Sequence, residues 1–245
     1  MISVICVCND EDILRANLLR SLSNQDLEYE FIKVDNTSGE YTSAATGLNE
    51  GAAKAMGDLL MFAHQDIVLG GSDFLRKVSS LISVLPRVGI AGVAGRFDRK
   101  GVLTNITHGD PPVPAGHIRI DKPEPVQTVD ECLFVIPRTV FEQLKFDDGV
   151  CDDWHLYAVD YSLSVKRLGL EAYVLPLEAH HQSKGKSMTK RYYRTLSRVA
   201  RKHAREHPWI HTSLGSWRTR IPISLQLLSI RTKRRLRGEG GRNGG

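Results

Sequence analysis

The feature that most constrains this chain is a rhythm in its first 95 residues: short strand-like runs over 2–8, 29–34, 59–63 and 88–93 alternate with stretches of helical spacing. The runs at 2–8 and 59–63 are apolar apart from Ser3 and too short for helices, as expected of strands buried on both faces of a parallel sheet. Between them Ile13, Leu14, Leu18, Leu19 and Leu22 recur at helical spacing, and 44–56 and 74–85 read as two further helices. Strands that alternate with helices join into a parallel sheet through right-handed crossovers. The expected fold class is therefore α/β, with a mostly parallel central sheet and helices on both faces.

Past residue 95 the rhythm fails. Gly101, Gly109, Pro111, Pro112, Pro114 and Gly116 mark a long excursion over 95–125, and long loops in compact domains are usually functional. A strand is expected over 127–136, a short helix over 139–144, a longer helix over 154–168 and a last strand over 172–175. A basic helix over 189–206 and an apolar segment over 221–230 follow, and 238–245 is expected to be disordered. At 245 residues the chain can bury one sizeable core. The four cysteines show no CxxC spacing, which argues for reduced thiols and against zinc. The first residues read as core strand, so no cleavable signal is expected.

Each of the first three strands ends in polar residues: Asn9 and Asp10, then Asp35 and Asn36, then His64, Gln65 and Asp66. In an open α/β sheet the carboxyl edge is where ligands bind, so neighbouring strands would bring these groups into one crevice. A carboxylate such as Asp66 at that edge can hold a divalent cation, or it can cap the helix that follows.

The order of a strand ending in Asn9-Asp10, a second ending in Val34-Asp35-Asn36, then Asn49-Glu50-Gly51-x-x-x-Ala55-x-Gly57-Asp58, then Phe62-Ala63-His64-Gln65-Asp66, resembles the nucleotide-sugar half of family-2 glycosyltransferases. Within that family it looks closest to the branch grouped with a streptomycin-biosynthesis protein. The resemblance spans roughly residues 1–187. It implies a GT-A (nucleotide-diphospho-sugar transferase) fold over 1–187, a basic helical extension over 188–237 and a tail over 238–245. It also implies a nucleotide-diphosphate sugar donor, a Mn2+ or Mg2+ ion, and inverting transfer to an acceptor hydroxyl in polysaccharide biosynthesis. Asn9, Asp35, Asn36, Asn49, His64 and Gln65 would line the nucleotide-sugar pocket. Asp66 would be the last acid of the metal motif, whose first acid is replaced here by His64. His180 and His181 resemble the place where such enzymes offer a histidine to the metal.

The family's Trp-Gly-Gly-Glu-Asp-x-Glu stretch, whose middle aspartate takes the acceptor's proton, corresponds to Trp154-His155-Leu156-Tyr157-Ala158-Val159-Asp160. Tyr157 and Ala158 stand where the acidic pair would be, and alanine cannot accept a proton. On a helix Asp153, Tyr157 and Asp160 would share one face. Asp160 is the leading candidate for the base, followed by Asp153 and then the Asp130-Glu131 pair. Asp130, Glu131, Trp154 and Tyr157 are expected on the acceptor side. The alternative is a catalytically impaired nucleotide-sugar-binding or interaction protein of the same fold.

Charge is divided along the chain. From Lys184 onward there are 17 Lys and Arg against two acids, whereas the first 183 residues carry 16 against 26. With Trp209, Trp217 and the apolar residues of 221–230, the basic tail through Arg231, Lys233, Arg234, Arg235 and Arg237 suits an anionic membrane surface. The expected location is cytoplasmic, peripheral at the inner face of the membrane, and a homodimer contact is the other use for the tail. Nucleic acid is not an expected partner, because no aromatic residues interleave with the basic ones on a sheet.

Overall fold

The computed structural model describes residues 1–183 and 188–236, so the expected boundary at 187, Arg237 and the expected disordered tail over 238–245 lie outside the described residues. The central sheet has seven strands, in the spatial order Glu124–Val126, Glu171–Val174, Val88–Gly92, Leu133–Pro137, Leu59–Ala63, Ile2–Cys8, Tyr29–Asp35. Five run parallel to one another, and Leu133–Pro137 and Glu124–Val126 run against them. The carboxyl ends of Ile2–Cys8, Tyr29–Asp35 and Leu59–Ala63 are side by side, so the polar residues that follow emerge at one edge.

Side chains alternate across the first strand as strand geometry requires. Ile5 enters the core on one face, while Val4, Cys6 and Cys8 enter the core on the other. All four cysteines are buried and unpaired. Local chemistry sets the helix starts: the Asp10 carboxylate accepts from the amides of Asp12 and Ile13, and the Ser43 hydroxyl accepts from that of Thr46 to open Ala44–Ala53. That helix lies close to the sheet because a Cβ at Gly51 would come within 2.7 Å of methyl groups of Ile5 and Val34.

Two expected elements divide, and both divisions shape the site. The run 127–136 is not one strand. Thr128–Val129 pairs with Ala94–Arg96 in a small separate sheet, whereas Leu133–Pro137 enters the central sheet, so Asp130 and Glu131 occupy the step between sheets. The helix expected over 154–168 begins only at Tyr157, because Leu156 adopts a left-handed backbone with φ 70°, and it ends in the 3-10 turn Lys166–Leu168. Asp153 therefore precedes the helix and shares no helical face with Asp160.

The excursion contributes short strands. Thr107–His108 pairs with Ala179–His181, which pairs in turn with Ile67–Leu69 just beyond Asp66. The basic helix runs Lys190–His203 and buries Tyr192, Leu196, Val199 and Ala200 in the main core. The hairpin of Trp209–Thr212 and Gly215–Arg218 is tied to the body through Gln127, which donates to the Trp209 carbonyl and accepts from the His211 amide, both at 2.8 Å. A last helix spans Ile223–Leu236. Among the described residues no helix is long and apolar enough to cross a membrane.

Candidate functional site

Beneath the carboxyl edge of the sheet lies an aromatic floor. Phe62 stacks on Phe134 at 5.1 Å between ring centroids, and Phe146 meets Phe62 and Tyr157 edge-on at 5.1 and 5.7 Å. Such a floor holds the residues above it in fixed positions. Leu59–Ala63 delivers His64 and Asp66 onto it, and the short strand Ala179–His181 brings His181 alongside.

The ligand atoms of His64, Asp66 and His181 all lie within 4.8 Å of one another. His181 Nε2 is 3.2 Å from Asp66 Oδ1, and the Ser183 amide donates to Asp66 Oδ2 at 3.2 Å. Ligand atoms around a six-coordinate ion with bonds of about 2.1 Å are on the order of 3–4 Å apart, so small shifts would close this group on a cation. Two imidazoles with one carboxylate suit a first-row transition metal. Burial, then the neighbouring His181, push the His64 pKa down to about 4, which keeps its ring neutral, as a ligand must be. Burial opposes ionisation of Asp66, yet its hydrogen bond from His181 and the charges of both histidines bring its pKa below the usual value. Burial likewise opposes charge on His181, but Asp66 outweighs it and the pKa is raised.

Two cavities meet at this group and share His64, Asp66 and His155. One, of about 260 Å3, is lined by Asn9, Gln65, Trp154, Tyr157 and the apolar faces of Val7, Ile13, Ala44 and Leu48. The other, of about 270 Å3, is lined by Asp130, Glu131, His181, Tyr192 and Ser213 together with Thr104, Ile106 and His108 of the excursion. Asn9 and Gln65 are mutually locked: Gln65 Nε2 donates to Asn9 Oδ1 at 2.7 Å, and Gln65 Oε1 accepts from the Asn9 and Asp10 amides.

Several expected site residues lie elsewhere. His180 is adjacent to His181 on a strand and so points the other way, where its Nδ1 meets the Thr107 hydroxyl at 3.0 Å. It is not part of the ligand group. Asn36 is buried and holds its own loop, exchanging hydrogen bonds with the Tyr41 backbone at 2.7 and 3.2 Å. Asn49 does the same with the Phe146 backbone. Asp35 stands at the expected strand end but lines neither cavity, and accepts from the Thr37 amide and hydroxyl. Trp154 and Tyr157 belong to the cavity that holds Asn9 rather than to the one that holds Asp130.

The candidate base is the largest correction. Asp160 is 2% exposed, bonds His203 Nε2 and Lys202 Nζ at 2.8 and 2.7 Å, and lines neither cavity. The Lys202 ammonium and the His203 ring satisfy its oxygens and explain its burial without chemistry. Asp153 is buried too, and its carbonyl accepts from the Ala44 amide at 3.3 Å.

Sequence reasoning passed over His155, which borders both cavities, although it lies inside the very stretch that was compared with the family's acidic motif. It also passed over Tyr192 and Ser213, for which no local pattern exists, since only the packing of the C-terminal segment brings them here.

A sequence profile described as a glycosyltransferase-like family matches residues 3–212. No curated protein sequence matches the chain. Among solved structures, the mannosyltransferase PcManGT from Pyrobaculum calidifontis, in complex with GDP-Man and Mn2+, superposes with a TM-score of 0.58 at 14% identity over 84% of this chain and 64% of its own. GalNAc-T7 with UDP, GalNAc and Mn2+ gives 0.60 at 13% over 82% and 48%. TarS 1–349 of S. aureus with UDP-GlcNAc gives 0.56 at 13% over 81% and 65%. At these identities the likeness is one of fold, and the chain spans less than two thirds of the length of each.

Proposed function

Because this chain belongs to the glycosyltransferase-like family and has the GT-A fold, we propose that it is an inverting, divalent-metal-dependent glycosyltransferase acting on a nucleoside-diphosphate sugar and an acceptor hydroxyl. The observation that carries the reading is the convergence of His64, Asp66 and His181 where two cavities meet. The cavity with Asn9, Gln65 and Trp154 takes the donor, its apolar walls facing the base and sugar. The cavity with Asp130 and Glu131 takes the acceptor. His64, Asp66 and His181 would hold Mn2+ or a similar ion, which when bound neutralises charge on the departing diphosphate. The protein's own part is to seat the donor so that its diphosphate faces these three residues and its anomeric carbon faces the second cavity. GDP- and UDP-sugars are the first donors to try, since the similar structures were solved with such ligands or their products.

Residues 188–236 act as part of the acceptor site, through Tyr192 and Ser213, and as the route to an envelope or lipid-linked acceptor. Membership of the branch grouped with a streptomycin-biosynthesis protein is part of the same reading. Calorimetric titration of UDP, GDP and dTDP with and without Mn2+ tests the proposal. Binding that requires the ion and is lost in Asp66→Asn is expected, and silence across the panel overturns it. Ala158 favours the second reading, a nucleotide-sugar binder without turnover, which predicts Mn2+-dependent binding and no release of sugar from any donor.

A further inference from the structure

With Ala158 unable to take a proton and Asp160 sequestered, the site as described lacks a base on the helix where one is expected. The geometry points to a replacement from a different element: we propose that Glu131, projecting from the step between the two sheets, is the general base that deprotonates the acceptor hydroxyl. This rests on the transferase reading above.

The carboxylate of Glu131 accepts a hydrogen bond from the Leu156 amide through Oε1. Leu156 immediately precedes the helix Tyr157–Val165, so Glu131 sets a carboxyl group beside the start of that helix, against the backbone two residues before Ala158. The bond fixes one oxygen. Oε2 makes no hydrogen bond among the described residues, is 3.9 Å from His155 Nδ1, and belongs to a side chain that lines the larger cavity. The distance to the diphosphate side is short. The Tyr157 hydroxyl lies 3.3 Å from His64 Nε2 and 3.4 Å from the Glu131 carbonyl, so a ligand of the ion and the backbone of residue 131 are at most two hydrogen-bond lengths apart.

Asp130 is the rival, and its surroundings disqualify it. Its Oδ1 accepts from the Cys132 amide at 3.1 Å, and although burial opposes its ionisation the polar groups of Ser213 and Cys132 beside it hold its pKa below the ordinary value, which makes it a weak base. Burial, then the charge of Asp130, push Glu131 well above the ordinary carboxylate range. Two adjacent carboxyls driven apart in this way give one fixed charge and one exchangeable proton. The other titratable groups around Glu131 are Cys132 beside it, Cys151 and His155 from the segment leading into the helix, Tyr157 at the helix start, and Tyr192 from the helix Lys190–His203.

In the step, Glu131 Oε2 takes the proton of the acceptor hydroxyl as that oxygen bonds to the anomeric carbon. The bond from the anomeric carbon to the diphosphate oxygen breaks, and its electron pair leaves with the diphosphate toward His64, Asp66 and His181.

The test uses the full chain, Mn2+ and UDP- and GDP-sugars, with water as the acceptor. Glu131→Gln keeps an oxygen for the Leu156 amide. It should bind Mn2+ and nucleotide as the wild type does, yet release sugar at least about 10² times more slowly. The wild-type rate should climb with pH along a limb above the usual carboxylate range, and that limb should vanish in the variant. Azide needs no deprotonation, so it should restore turnover to Glu131→Ala and yield a glycosyl azide. Wild-type release rates in Glu131→Gln overturn the assignment, as does a nucleotide-binding Glu131→Ala that azide fails to rescue. A wild type that binds nucleotide and Mn2+ but releases sugar at no pH also overturns it. If the wild type binds no nucleotide with Mn2+, the transferase reading falls as well, so the two failures are told apart by the binding data.

Discussion

His180 and His181 differ by one position and by everything that position implies. Along the strand Ala179–His181 successive side chains face opposite ways, so His181 meets Asp66 while His180 meets Thr107. Replacing His181 with alanine should weaken Mn2+ binding at least about tenfold, whereas His180→Ala should leave it within about twofold, both read by calorimetry or by the paramagnetic signal of free Mn2+. Equal losses would mean that the ion sits elsewhere. The donor set also sets a metal preference. Magnesium favours oxygen ligands, and two of the three donors here are imidazole nitrogens, so Mn2+ and Co2+ should bind more tightly than Mg2+ in the same titration. At this scale the sequence was most legible at Asp66, because a strand announces where its carboxyl end falls. The histidine pair was half legible, since only the strand's direction tells which of two neighbours turns inward. Glu131 was legible only as half of the Asp130-Glu131 pair, ranked behind Asp160 and Asp153, and nothing local marks Ser213, because contacts 25 residues or more away in sequence set the surroundings of both.

Elements were legible where one period governs a run, and failed where the chain changes layer. The run 127–136 reads as one strand because β-branched Thr128 and Val129 lead into the apolar residues 132–136 with no glycine or proline between, yet the halves serve different sheets and Asp130 and Glu131 sit at the crossing. The helix at Tyr157–Val165 starts late because Leu156 takes a left-handed conformation, which a pattern of apolar spacing does not register. That late start, together with the ion pair to Lys202 and the hydrogen bond with His203, places Asp160 in the interface between this helix and the helix Lys190–His203. Asp160→Ala removes the partner of Nε2 on the fully buried His203 and one of the two carboxylates that Lys202 contacts. Breaking such a pair costs about 3–5 kcal/mol, and for a chain of this size each kcal/mol corresponds to about 2–4 °C. Thermal unfolding should therefore fall by about 6–20 °C, while Mn2+-dependent nucleotide binding below that temperature stays intact. A variant that loses nucleotide binding at full thermal stability would return Asp160 to the site.

The sequence as a whole divides its charge, with the excess of positive residues over acids gathered from Lys184 onward. The sequence left open whether that segment is a loose tail, because amphipathic patterning does not say what a face packs against. The structure separates two parts of it. The helix Lys190–His203 and the hairpin after it are built into the core and the larger cavity. The helix Ile223–Leu236 buries Ile223 but exposes Leu225 at 57%, Leu228 at 62% and Ile230 at 40%. Exposed leucines that lead into Arg231, Lys233, Arg234 and Arg235 combine an apolar anchor with charge of the sign that anionic lipid attracts, on the order of 1 kcal/mol for each basic residue near the surface. Full-length protein should sediment with vesicles containing phosphatidylglycerol and not with neutral phosphatidylcholine vesicles, and raising salt to about 1 M, where the screening length shrinks to about 3 Å, should release it. Leu225→Asp with Leu228→Asp should lower the bound fraction at least about tenfold without changing Mn2+-dependent nucleotide binding. If these leucines instead mediate pairing of two copies, vesicles will not retain the protein, and sedimentation velocity will show a dimer that the same substitutions dissociate. The two outcomes assign the protein's position differently, since only lipid attachment would hold the larger cavity near a membrane surface.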